Sequence, residues 1–298
     1  MLAEEILGLL LPQRRSVPGE SGGSFDHQRA VLAKAIAARE PIVFTLPAFP
    51  CKSPNPDKVL GHLPDLGERL SLRFLDGLCA RIERVYPPGA RMLICSDGHV
   101  FADLIRVPDD HVEEYAGALR KLIADEGLHR IDTFDLTEAY GSLSGADIRT
   151  ALVEEFGQSL ESLRAEVHAD ADTLRHYRGT TRFLLEDGSG PDYRGTRSAL
   201  LRDSRRRAYG VLQRSRAWGE LIAREFPHAL RLSIHPQRAG TGKLGIVLLD
   251  EADGWKTPWH SVVLQRGDRF SLHHRAEAAK LGELVLAGGR PSHYVARE

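Results

Sequence analysis

Two histidines stand where proton transfer is plausible. His235 closes the run Arg231 to Pro236 (RLSIHP), and His260 sits in Thr257 to Ser261 (TPWHS), each beside a strand-like run. Imidazole moves protons at neutral pH, so paired strand-end histidines are acid/base candidates. A single histidine is more often structural; the repeated position puts the functional reading on even terms. A second constellation is Ser96-Asp97-Gly98-His99 with Asp103. Asp97 follows a buried, strand-like RMLIC, at the end where parallel sheets present ligands. The plain alternative is a turn aspartate. His99 and Asp103 as a metal pair lack a third ligand, so no metal site is expected.

The cations lie elsewhere. Leu46 to Arg69 carries Pro47, Pro50, Pro54, Pro56 and Pro64 together with Lys52, Asn55 and Lys58. Proline fixes φ and excludes helix, so this is a stiff, extended loop. Its lysines suit a phosphate or carboxylate, against the ordinary reading of a solvated loop. Asp65 and Glu68 fit a capping box. Arg69 sits near a positive helix end, which favours a nearby anion. Arg202 to Arg207 (RDSRRR) places Arg202, Arg205 and Arg206 on one helix face, by default a solvated one. Lys243 completes the set.

These groups need elements to hold them. Ile42 to Leu46, Arg91 to Cys95 and Ile131 to Leu136 read as buried strands, with helices between at Asp65 to Val85 and Asp109 to Ala124. Leu66, Leu70, Phe74, Leu78, Ile82 and Val85 form the predicted apolar stripe of the first helix; Val100 to Leu104 alternates like a strand. Strand-helix alternation predicts a parallel sheet. From about 140 to 228 the pattern is helical, a predicted insertion. Sheet signals return at Leu230 to Ile234, Leu244 to Leu249, Ser261 to Leu264 and His293 to Ala296. Leu2 to Leu11 reads as a short helix and Pro12 to Ser24 as a flexible connector. The expected organisation is an N-terminal helix and linker over 1–24 and a single 25–298 α/β, Rossmann-like domain with a mostly parallel sheet.

Net charge is −1, which argues against a nucleic-acid partner. Three scattered cysteines fit a reducing, cytoplasmic setting rather than a disulfide framework. Neither a signal peptide nor a membrane span is expected. Ala239 to Leu244 (AGTGKL) fails as a phosphate loop, Gly141 to Gly145 (GSLSG) has leucine where a nucleophile elbow needs serine, and no GxGxxG follows a strand.

Taken together, LPAFPCKSPNPDKVLGHLPDLGERLSL, YPPGARMLICSDGHVFADL, RSRAWGELIAREFPHALRLSIHP, KLGIVLL and TPWHSVVL, with the weaker YRGTTRFLLED, resemble the isocyanide (isonitrile) synthases. That family shares a domain with the pyoverdine/dityrosine biosynthesis proteins. The resemblance implies an enzyme that converts the amine of L-tyrosine or L-tryptophan to an isocyanide in secondary-metabolite biosynthesis. Ribulose 5-phosphate is the implied carbon donor, without metal or redox cofactor. A separate Fe(II)/2-oxoglutarate oxygenase is implied downstream. On residue chemistry, His235 and His260 are then acid/base candidates. Asp97 and Asp103 would bind hydroxyls or hold a histidine. Lys52, Arg69, Arg205 and Lys243 would take phosphate or carboxylate, with Glu68 and His99 also in the substrate set. A tyrosine-formylating enzyme of the dityrosine type and a non-catalytic sugar-phosphate or amino-acid binder are the alternatives. A metal-dependent oxygenase would need a ligand triad.

Overall fold

A computed structural model describes residues 2–20, 22–141, 143–249 and 256–297. Position 21 of the expected connector, position 142 of the GSLSG motif and both chain ends lie outside them. The chain opens with α1 (Leu2–Leu10), α2 (Asp26–Ala38), β1 (Ile42–Pro47), α3 (Leu66–Val85), β2 (Ala90–Cys95), α4 (Gly98–Ile105), α5 (Asp109–Asp125) and β3 (Ile131–Phe134). Helices α6 (Leu136–Tyr140), α7 (Gly145–Phe156), α8 (Leu160–Ala169), α9 (Ala171–Asp187) and α10 (Arg197–Glu225) follow. Then come β4 (Leu230–Ser233), β5 (Lys243–Gly245), β6 (Val262–Arg266), β7 (Arg269–His273), α11 (Arg275–Leu281), β8 (Gly282–Ala287) and β9 (Arg290–Ala296).

Among the described residues, β3-β2-β1-β4-β5 form one parallel sheet, the order of a doubly wound α/β fold. Buried Phe44, Leu46, Met92 and Ile94 give the central strands the apolar character such a sheet requires. Helix α3 begins where the sequence places its cap: the Gly67 N–H donates to Asp65 Oδ1 and the Asp65 N–H to Glu68 Oε2. Its face against the main core is Leu72, Leu75, Leu78, Cys79 and Ile82. The predicted stripe is divided, because Leu66 and Leu70 pack instead on Leu249, Val263 and Leu272.

Three expectations are corrected. Val100 to Leu104 belongs to a helix, α4, rather than extended chain. The segment after α1 is tied down: Arg14 bridges to Ile246 and Ser16 to Gln237, while Ile6, Leu7 and Leu10 lie in the main core. The last strands do not extend the parallel sheet. They build a second one, β7-β6-β9-β8, mostly antiparallel, with its own cluster of Val262, Leu264, Ala278 and Tyr294.

Candidate functional site

Strand order reverses between β1 and β4, and a crevice opens beyond the carboxyl ends of strands at such a point. The segments leaving β1, β2 and β4 there carry the proline loop, Asp97 and His235. The loop after β1 is built tightly. Phe49 adopts φ 55°, unusual for a bulky residue, and its buried ring lies 5.1 Å from that of Trp259. Ser96 Oγ donates to the Phe49 carbonyl at 2.8 Å. A Cβ on Gly98 would fall 2.2 Å from the Pro50 carbonyl oxygen, so only glycine lets α4 start against this loop.

Lys52 is the keystone of that loop. Its buried ammonium donates to Asp65 Oδ2 at 2.8 Å, Glu68 Oε2 at 2.8 Å and the Pro258 carbonyl at 3.0 Å. Burial opposes its charge, but the two carboxylates outweigh that and raise its pKa. Burial pushes Glu68 up to about 7 despite Lys52. The other Glu68 oxygen accepts from the Tyr115 hydroxyl at 3.2 Å. Lys52 and Glu68 are thus occupied in holding Pro258, the first residue of a 3-10 turn, Pro258–His260. The Ser53 N–H anchors the same turn on the Trp259 carbonyl.

That turn presents His260. Thr257 Oγ1 lies 3.1 Å from its Nδ1, and the Phe183 ring meets it edge-on at 5.0 Å. Burial, followed by the fields of Lys58, Lys52 and His274 against that of Asp187, brings His260 down to about 4. It is a neutral base at pH 7. Beside it, Asp187 Oδ1 accepts from Lys58 Nζ and Ser53 Oγ, both at 2.8 Å.

The other end of the crevice is cationic. Crowding by protein, reinforced by His176, Arg15 and Lys243, brings His235 to about 4, although its ring reaches solvent. Half-buried Lys243 is also lowered, by burial and then Arg231, with Glu220 opposing. His176 is lowered by burial, Arg216 and Lys243. His176, Phe183 and Asp187 are spaced seven and four residues apart, so one face of α9 overlooks both ends. Asp97 Oδ1 is buried without a partner, and burial raises the carboxyl to about 7, opposed by its own backbone N–H. Buried Cys51 feels both Asp97 and Asp187, which places the three in one neighbourhood.

Of the remaining sequence candidates, Asp103 and Arg69 have side chains paired elsewhere, and His99 and Arg205 are held through their carbonyls. Asp103 accepts from Arg214 at 2.5 Å and lies 3.5 Å from Arg149, clamping α4 to α10 and α7. His99 is buried behind that clamp, its carbonyl accepting from Arg149. Arg69 pairs with Glu126 at 3.3 Å and lines a separate depression with Lys121, Asp125 and Ser292. Arg205 is exposed on α10, its carbonyl accepting from Tyr177. His176, Phe183, Asp187 and Ser53 complete the crevice without having been singled out as site residues, and Lys58, expected to take an anionic ligand, is held by Asp187 instead. The signal for the first three was the helical spacing within YRGTTRFLLED and just before it.

Fold and crevice define a doubly wound α/β protein with a polar site at its switch point. The comparisons narrow this: the model of the pyoverdine/dityrosine biosynthesis protein family matches residues 32–285, and the chain belongs to that family. It is 47% identical to an L-tyrosine isonitrile synthase of Pseudomonas aeruginosa, over 98% of this chain and 94% of that one. It is 41% identical to the L-tryptophan isonitrile synthase AmbI2 of Fischerella ambigua, over 86% and 78% of the two chains. The crystal structure of PvcA from Pseudomonas aeruginosa superimposes with a TM-score of 0.94 over 100% of both chains, at 46% identity. No group of three His, Cys, Asp or Glu able to hold a metal occurs among the described residues, and no helix there is long and apolar enough to cross a membrane.

Proposed function

We propose that this chain is an isonitrile synthase that converts the amine of an aromatic L-amino acid to an isocyanide, with ribulose 5-phosphate as carbon donor. The observation that carries the reading is that one face of α9 relates the two histidines, Phe183 meeting His260 at 5.0 Å and His176, two turns earlier, acting on His235. Attack of the amine on the ketone forms a carbon–nitrogen bond and releases a proton. Loss of hydroxide, protonated to water, then gives an imine. The first transfer needs a base free of its proton at pH 7, which neutral His260 supplies, and the second needs a proton donor near neutrality, which Asp97, raised to about 7, supplies. Lys243 and His176 suit the phosphate, because neither has a carboxylate hydrogen-bonded to its side chain. Within this reading Lys52 and Glu68 act indirectly, by positioning the turn that carries His260. These two steps, addition and loss of water, call on no metal or redox cofactor. The product suits an Fe(II)/2-oxoglutarate oxygenase acting as a separate protein, and the setting is cytoplasmic.

The test is mass spectrometry of reactions holding the protein, uniformly carbon-13-labelled ribulose 5-phosphate and either L-tyrosine or L-tryptophan. An isocyanide carrying one labelled carbon is expected. Folded protein that alters neither amino acid would overturn the proposal.

A further inference from the structure

Next to the crevice, on the far side of Asp187, lies a pocket of about 230 Å³ that the catalytic assignment does not use. It runs between the proline loop, the end of α4, the end of α9 and α10. Pro54, Pro56, Ile105, Leu184 and Tyr193 give it apolar and aromatic walls. Two charged residues line it, each with one enclosed polar atom that has no hydrogen-bond partner and that a ligand reaches once the side chain turns toward the pocket. Asp187, its side chain 4% exposed, uses Oδ1 on Ser53 and Lys58, while Oδ2 is buried without a partner. Arg207, 8% exposed, gives Nε to Asp203 and Nη1 to the Leu104 carbonyl, while Nη2 is buried without a partner. Of the other polar walls, Asn55 is committed to Glu186 and Asp57 and Arg106 to Asp203, while Asp192 is an exposed carboxylate at the rim.

Buried charged groups seldom leave a lone pair or an N–H unmatched. Here one of each sign of demand lines the same pocket. A ligand that satisfies both presents a cationic donor to Asp187 and an anionic acceptor to Arg207, with an apolar body between the walls. We propose that this pocket binds an aromatic α-amino acid, its ammonium on Asp187 Oδ2 and its carboxylate on Arg207 Nη2. The site rests on the isonitrile synthase reading only for the ligand's fate. Asp187 contributes to the field at His260, so an amine held there stands beside the crevice. It also separates the two substrates: the amino acid enters from the seam between sheet and helices, the phosphate sits at the Lys243 end.

The test is calorimetric binding to the intact protein. L-Tyrosine is compared with tyramine, which lacks the carboxylate, and with 3-(4-hydroxyphenyl)propanoate, which lacks the amine. Each truncation should weaken binding about tenfold or more, the scale of a lost charged hydrogen bond. The isosteric Asp187→Asn variant should weaken L-tyrosine similarly while leaving the propanoate unchanged. Arg207→Met should weaken L-tyrosine and leave tyramine unchanged. If Arg207→Met fails to fold, Asp187→Asn and the wild-type truncation series still decide. Equal binding of all three ligands, or variants that weaken every ligand alike, would overturn the assignment and leave the pocket to water. Isocyanide production by the wild type is measured alongside. Production with variant-insensitive binding sinks this pocket alone; variant-sensitive binding without production supports the pocket and sinks the activity.

Discussion

Lys52 lies beyond the carboxyl end of β1, whereas Lys243 opens the edge strand β5 beside Arg231 of β4, and their surroundings push them in opposite directions. Lys52 is enclosed by Asp65, Glu68 and the Pro258 carbonyl, which hold its charge in place. Lys243 is crowded by protein and by Arg231, with Glu220 alone opposing, and its proton is loosened. A cation with all its donors matched is framework; a cation under net repulsion is receptive to an anion. The stiff loop, the richer in motifs, turns out to be the frame. The plainer β4–β5 edge holds the open charge.

Breaking the frame should have the largest effect. Lys52→Met removes one member of a buried ion pair and strands Glu68 and Asp65, a loss of about 3–5 kcal/mol. Thermal unfolding should show a large drop in Tm. A variant that unfolds within a few degrees of the wild type would mean that Lys52 is not structural. Next in size is the turn this lysine supports. His260→Ala should cut kcat at least about a hundredfold with Tm little changed. The pH profile sharpens the point: His260 is neutral above about pH 4, whereas Asp97 titrates near 7. The kcat/KM of the wild type should therefore fall through pH 7, as Asp97 loses the proton it donates. Asp97→Asn should remove its share of that inflection and leave only what Glu68, also pushed up to about 7, contributes, and His260→Ala should lower the plateau without moving it.

Lys243→Met tests the receptive side. Losing one charge-assisted bond to phosphate is worth roughly 1.5–3 kcal/mol, so KM for the phosphorylated substrate should rise about tenfold or more. KM for the amino acid should stay put. A rise confined to the amino acid would reverse the two ends of the crevice.

Much of this was legible beforehand, for reasons that differ residue by residue. The parallel sheet followed from apolar runs alternating with helical periodicity, and the α3 cap from Asp65 and Glu68, because those signals are local. Asp97 and His235 could be placed at strand ends for the same reason. What Lys52 contacts could not be read, since Pro258 lies over two hundred residues away in the chain. The α9 residues were missed because their usefulness depends on how that helix lies over the crevice. The second sheet was invisible as a separate sheet: short strands carry period and length, not partners. Its β6 pairs with β9 across α11 and a hairpin, a choice made by packing around Tyr294.

Arg69 offers the smallest and most discriminating test of the division between frame and open charge. Its position in the first turn of α3 is unfavourable for a cation, which made an anionic ligand an attractive explanation. The structure supplies Glu126 instead, shared with Arg73, and leaves the Arg69 side chain 44% exposed. Exposed pairs contribute little, and here a second arginine remains to hold Glu126 when Arg69 is removed. Arg69→Ala should therefore shift stability by no more than about 0.5 kcal/mol and leave kcat and both KM values within about twofold. A tenfold rise in KM for the sugar phosphate would show that the depression beside Arg69, Lys121 and Ser292 takes part in binding. The receptive charge would then extend along the loop side as well, and the contrast between Lys52 and Lys243 would no longer separate the frame from the site.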